Sequence, residues 1–171
     1  MTFAEAVEAA VAGYAWRAQQ ARGADDVGVH LRRPDLAWDI ITDLIVREAG
    51  GEIWLGQLEV AWVVRCRVDA PQTWWGTTPL SVALMPRQFS CYDSWTTSDA
   101  DPMPLLAEFF AGLRCSDPDA RAAAAAVFAP SFRFGPPATH YHTTAVTPSW
   151  AEKLEFVQRI GGHRFYFEAG D

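Results

Sequence analysis

The segment Leu44-Ile45-Val46-Arg47-Glu48-Ala49-Gly50-Gly51-Glu52 decides how this chain is read, because an apolar stripe at helical spacing runs into a carboxylate and then a glycine pair. Pro34 suits a first helical position, and from it apolar side chains recur at Leu36, Ala37, Ile40, Ile41, Leu44 and Ile45. The same stripe carried forward reaches Glu48. The spacing therefore predicts a helix over 34–48, stopped by Gly50-Gly51, with the Glu48 carboxyl on or beside the buried face. Desolvation favours the protonated form of a carboxyl, which makes Glu48 a candidate proton donor. The alternative is a frayed helix end with Glu48 in solvent or paired with an arginine.

Upstream, Thr2 followed by Glu5 fits a capping box, and Phe3, Val7, Val11 and Tyr14 form an amphipathic stripe, so 3–22 reads as a helix. Gly23 to Arg33 is polar and reads as a surface connection. Downstream, 57–68 is apolar almost all round, and its length favours a helix through the core. Residues 70–104 hold five prolines among Trp74, Trp75, Phe89, Tyr92 and Trp95, a loop-rich stretch that either lines a cleft or wraps the core. Leu105 to Cys115 resumes helical spacing, and Asp117-Pro118-Asp119 starts a helix through the alanine run to Phe128. His140 to Thr144 and His163 to Phe167 read as short strands.

The chain has 171 residues, enough for one core, and reads as a single domain over 1–171: an N-terminal helix and connection over 1–33, then a core over 34–167. The formal charge of -7 argues against a dedicated nucleic-acid partner. No run of apolar residues is long enough to span a bilayer, so stable membrane association is not expected. The N-terminus, interrupted by Glu5 and Glu8, does not read as a secretion signal, which points to synthesis in the cytoplasm. Cys66, Cys91 and Cys115 are odd in number and widely spaced, and read as reduced.

Glu48-Ala49-x-Gly51-Glu52, Gly56-Gln57-x-x-Val60-Ala61-x-Val63 and Arg67-Val68 together resemble the cell wall hydrolases of the SleB type, the family of spore cortex-lytic enzymes. The resemblance continues through Gln88-Phe89-Ser90-Cys91, His140-Tyr141-His142 and Ile160-Gly161-x-His163-Arg164-Phe165-Tyr166, covering roughly 36–167. It implies an α+β, mainly helical, lysozyme-like or lytic transglycosylase-like fold with a small sheet. It also implies cleavage of peptidoglycan glycan strands between N-acetylmuramic acid and N-acetylglucosamine, without a cofactor, and with Glu48 as the catalytic acid. Two positions depart from the family pattern: Gly50 stands where an arginine is usual, and Cys66 where an asparagine is usual.

A lytic transglycosylase needs one acid that becomes a base, whereas a hydrolytic muramidase needs a second carboxylate, for which Glu52 is the nearest candidate in sequence. Gln57, Gln88 and Ser90 can hydrogen-bond sugar groups, and Phe89 or Trp95 can stack on a pyranose. Tyr141 can orient the substrate or the Glu48 carboxyl, and His140 and His163 complete the expected substrate-binding set. Two other readings compete. His140 and His142 on one strand face, with His163 or a carboxylate, could hold zinc in a peptidoglycan peptidase or amidase. A non-catalytic wall-binding or virion protein could keep the fold. The expected setting is a monomeric phage endolysin that reaches the wall through a holin's lesions.

Overall fold

The computed structural model describes residues 1–21, 36–70 and 72–169. The expected connection over Gly23 to Arg33 and the helix start at Pro34 lie outside them. Among these residues seven α-helices precede a small sheet: α1 (Phe3–Ala21), α2 (Leu36–Ala49), α3 (Trp54–Asp69), α4 (Pro79–Ala83), α5 (Asp93–Thr96), α6 (Pro102–Ala111) and α7 (Pro118–Val127). The strands β1 (His140–Thr143), β2 (Glu155–Ile160) and β3 (His163–Phe167) form an antiparallel sheet in the order β1-β3-β2.

The caps follow the sequence. Thr2 and Glu5 exchange backbone-to-side-chain hydrogen bonds at the head of α1. The Asp117 carboxylate accepts from the Asp119 and Ala120 amides at the head of α7. α6 begins at Pro102 rather than Leu105, because a proline in the first turn gives up only an amide the helix does not use. β2 does not follow from the sequence alternation.

α3 is the axis of the core. It is buried on every side, packs against α2, α4 and α7, and carries Val60, Ala61, Val63 and Val64 with no solvent contact. The alanine run exists for this packing: Ala120, Ala123 and Ala124 bring α7 close to α2 and α3. The aromatics of the loop-rich region divide between roles, for Trp75, Phe89 and Tyr92 are buried core residues while Trp74 is exposed. Among the described residues no helix is long and apolar enough to cross a membrane.

A buried glutamate on α3 carries a cost. Glu59 has no solvent exposure, and although Gln158 of β2 faces it, neither carboxyl oxygen has a well-formed hydrogen bond. Desolvation pushes its pKa up to about 7, so the folded protein holds a proton there that the unfolded chain, titrating near 4.5, releases. Stability from this site is therefore full below pH 4.5, falls as pH rises to about 7, and levels off above. The loss amounts to about 3 kcal/mol. Glu59→Gln should melt alongside the parent at pH 4 and some 6–12 °C above it at pH 8, at roughly 2–4 °C per kcal/mol for a chain of this size. Equal melting at both pH values would show that Glu59 is solvated.

Candidate active site

α2 ends one residue after Glu48, and the carboxyl it presents is half-buried at the floor of a cleft of about 420 Å³. The cleft is lined from α2 by Arg47 and Glu48, from the turn before α5 by Ser90 and Cys91, and from the sheet side by β1, Val146 and His163. Glu48 is the single carboxylate among these lining residues. The Tyr141 hydroxyl donates to its Oε2 at 2.9 Å, and the Cys91 amide reaches its Oε1 at 3.4 Å. Burial and the neighbouring Glu48 push the Tyr141 phenol well above its ordinary value, so it remains a donor. Burial, reinforced by Glu48, likewise keeps Cys91 a thiol, hydrogen-bonded to Glu48.

Arg67 holds the β1 wall from behind. It is 4% exposed, its Nε donates to the Thr139 carbonyl at 2.8 Å, and its guanidinium lies 5.0 Å from the Phe89 ring and 5.9 Å from the Trp75 ring. Desolvation lowers its pKa to about 10, which leaves it charged at neutral pH, and that charge acts on Tyr141, Glu168 and Glu48. A buried cation thus stands beneath the site although Gly50 replaces the usual arginine of the motif.

Glu52 lies at the β2–β3 turn. Both of its oxygens accept from the Gly162 amide at 3.1 Å, and His163 Nδ1 stands 3.4 Å from Oε1, beyond good hydrogen-bond geometry. Gly161, at φ +54°, completes the β2–β3 turn, and a Cβ there would overlap Glu52 Oε2. A Cβ on Gly162 would lie 2.7 Å from Oε1. The carboxylate occupies the space that two missing side chains leave, and pins the hairpin to the α2–α3 elbow. His163, held there, meets the Tyr141 ring edge-on at 5.5 Å. Glu52 therefore touches the Glu48 cleft through His163 and Tyr141.

Of the residues expected to bind substrate, Ser90, Tyr141 and His163 line the cleft, while Gln57, Gln88, Phe89, Trp95 and His140 do not. Gln57 and Phe89 are buried, on α3 and against Arg67 respectively. Trp95 packs on Tyr92 and Phe109 beneath the Arg47 guanidinium. His140 sits on the other face of the sheet between Trp75 and Trp150. Burial, then the charge of Arg67, lowers its pKa to about 4, so it is neutral and no ion-pair partner for Glu168. Both ring nitrogens of His142 are engaged: Nδ1 donates to the Thr143 carbonyl at 2.8 Å, leaving Nε2 to accept from the Tyr166 hydroxyl at 3.0 Å. Among the described residues no three His, Cys, Asp or Glu side chains converge as a metal centre requires. Cys91, the last residue of the Gln88-Phe89-Ser90-Cys91 motif, joins the cleft, and so do Arg47, Thr143 and Val146, which carry no sequence signal of their own because only the fold brings them to Glu48.

The architecture is similar to that of the catalytic domain of the Bacillus cereus SleB protein, at 20% identity and a TM-score of 0.57, covering 77% of this chain and 89% of that one. It is also similar to the catalytic domain of the germination-specific lytic transglycosylase SleB from Bacillus anthracis, at 20% identity and a TM-score of 0.58, covering 82% of this chain and all of that one. Comparison with curated protein sequences returns no match. Fold and sequence together define a cell-wall-degrading enzyme of lysozyme-like architecture. The chain belongs to the cell wall hydrolase family, which its residues 51–166 match. That stretch opens just after Glu48, at Gly51, so the case for Glu48 rests on the geometry of the cleft.

Proposed function

We propose that this protein is a lytic transglycosylase that cleaves peptidoglycan glycan strands with Glu48 as its single acid and base. The observation that carries the reading is that Glu48 is the one carboxylate among the described residues lining the cleft, with Glu52, the nearest second one in sequence, engaged at the hairpin turn. In the first step Glu48 gives its proton to the glycosidic oxygen as the bond from that oxygen to C1 of the muramyl ring breaks. The carboxylate so formed is stabilised by the Tyr141 hydroxyl and the Cys91 amide, donors already aimed at its two oxygens. In the second step the muramyl C6 hydroxyl attacks C1 and its proton passes to Glu48, which restores the acid and leaves a 1,6-anhydro end. No second carboxylate takes part.

Mass spectrometry of digested sacculi tests this. Anhydro-muropeptides are the expected products, and reducing muramyl ends would convert the assignment to a hydrolytic muramidase. Glu52→Gln separates the same alternatives: as a turn clamp it should lower the melting temperature by a few degrees and turnover by no more than about tenfold, whereas a nucleophile or general base would lose 10²–10⁴-fold. For the biological setting we infer a phage endolysin, and co-expression with and without a holin tests it, lysis being expected only with the holin.

A further inference from the structure

The face of the sheet turned away from Glu48 carries an arrangement that the reaction does not use. Antiparallel register puts His142, Arg164 and Arg159 in one row across β1, β3 and β2, and His140, Tyr166 and Phe156 in the next. Arg159 and Arg164 are direct cross-strand partners, both exposed, on a protein whose formal charge is -7. Like charges directly opposite destabilise a sheet. Arg159 Nε donates to the Gly161 carbonyl, and neither guanidinium meets a carboxylate among the described residues. Beside them Phe156 is 53% exposed and meets Tyr166 edge-on at 5.6 Å.

This face adjoins the catalytic cleft across β1, an edge strand whose Tyr141, His142 and Thr143 all line the cleft, with the His142 ring buried against Tyr166 and Trp150 on the outer side. Arg164 lies one strand further in than His142, and Arg159 one strand beyond, at about 4.8 Å per strand. A muramyl residue held at Glu48 carries a short stem peptide that must leave the cleft, and that peptide bears free carboxylates at its glutamyl residue and its C-terminus. At about 3.4 Å per extended residue, two to three residues of it span the distance from the β1 edge to the second arginine.

We infer that Arg159 and Arg164, with Phe156 alongside, bind the stem-peptide carboxylates of the muramyl unit being cleaved, so that the enzyme prefers peptide-bearing strands to naked glycan. The inference rests on the transglycosylase reading for which sugar occupies the cleft. Two charge-assisted contacts on an exposed face supply about a fivefold preference in affinity.

The test measures binding in a Glu48→Gln background, which removes turnover, using soluble glycan strands with intact stem peptides and the same strands stripped by an amidase. Parent and Arg159→Gln/Arg164→Gln should bind stripped strands alike, while the double variant binds peptide-bearing strands about fivefold more weakly and with less dependence on salt. Equal binding of peptide-bearing strands by the two proteins overturns the inference. So does an equal loss on stripped strands, which would mean the sheet itself is damaged, and so does a loss seen only with strands that carry phosphate polymers. The products that the unsubstituted protein releases from the same two strand preparations judge the transglycosylase reading separately.

Discussion

Glu48→Gln leaves the protein folded and sacculi intact. Glutamine keeps the shape of the side chain; its amide oxygen still accepts from the Cys91 amide, and its NH2 group donates to the Tyr141 hydroxyl oxygen, so the α2 terminus and the cleft keep their form. It has no proton to give the glycosidic oxygen and no charge with which to take one back. Loss of a positioned acid that also serves as base removes roughly 10²–10⁴ in rate. Because no other carboxylate among the described residues lines the cleft, none of them can take over. Sacculus turbidity, read beside a circular-dichroism melt, checks both halves of the expectation: an unchanged melt with clearing lost supports it, and clearing at the parent rate removes Glu48 from the chemistry.

Asp43→Ala should have the largest effect on stability. Asp43 has no solvent exposure, one turn before Arg47 on α2, and its two oxygens gather three segments of chain. Oδ2 accepts from Arg47 Nε at 2.7 Å and from the Tyr92 hydroxyl at 2.8 Å, and Oδ1 accepts from the Arg114 amide at 2.6 Å. Arg47 in turn donates to the Gly112 carbonyl at 2.8 Å. Removing the carboxylate leaves the part-buried Arg47 guanidinium and the Arg114 amide short of an acceptor, and the Tyr92 hydroxyl with the Ile40 carbonyl alone, which costs about 3–5 kcal/mol. At this chain length that is on the order of 10 °C in melting temperature. Calorimetry should show it, with Asp43→Asn losing less because the amide still accepts. A drop below 3 °C would mean that water replaces the carboxylate. Tyr92 adjoins Cys91, so the same substitution should also loosen the turn that brings Cys91 to Glu48.

The helical body was legible in the sequence because its signals are local. The capping box at Thr2, the Asp117-Pro118 start and the Gly50-Gly51 stop each act within a turn of helix, and each has its expected counterpart in the structure. β2 was not legible, for the register shifts between Phe156 and Gln158, and that irregularity breaks the period-two alternation by which a strand is recognised. Gln158 and Arg159 further disguise it as a polar surface stretch.

At the site, Glu48 stood out because a carboxyl interrupted an apolar stripe, and Tyr141 and His163 through the motifs around them. The structure brings all three to one cleft. Aromatic and amide side chains at Phe89 and Gln57 have the chemistry to hold a sugar, yet both are buried in the body of the fold, and residue type alone does not separate a stacking platform from a core ring. The position of Glu52 was out of reach because the glycine pair ends the helix, and the direction of the chain beyond a helix stop depends on the segment it meets. Here that segment is the β2–β3 turn, 110 residues away in sequence.

The two long spans that close the cleft also bear on when the enzyme comes into being. Glu48 reaches Tyr141 across 93 residues and Glu52 reaches Gly162 across 110, while the backbone hydrogen bonds within each helix close in a single turn. Contacts of such separation form late, after the local structure that carries them. A growing chain on the ribosome can fold its helices early and still lack the wall of β1 and the hairpin clasp. Activity should therefore arise abruptly as the final strands dock, and chains cut short before Tyr141 should be helical but inert, sparing the cell that makes them from partly finished enzyme.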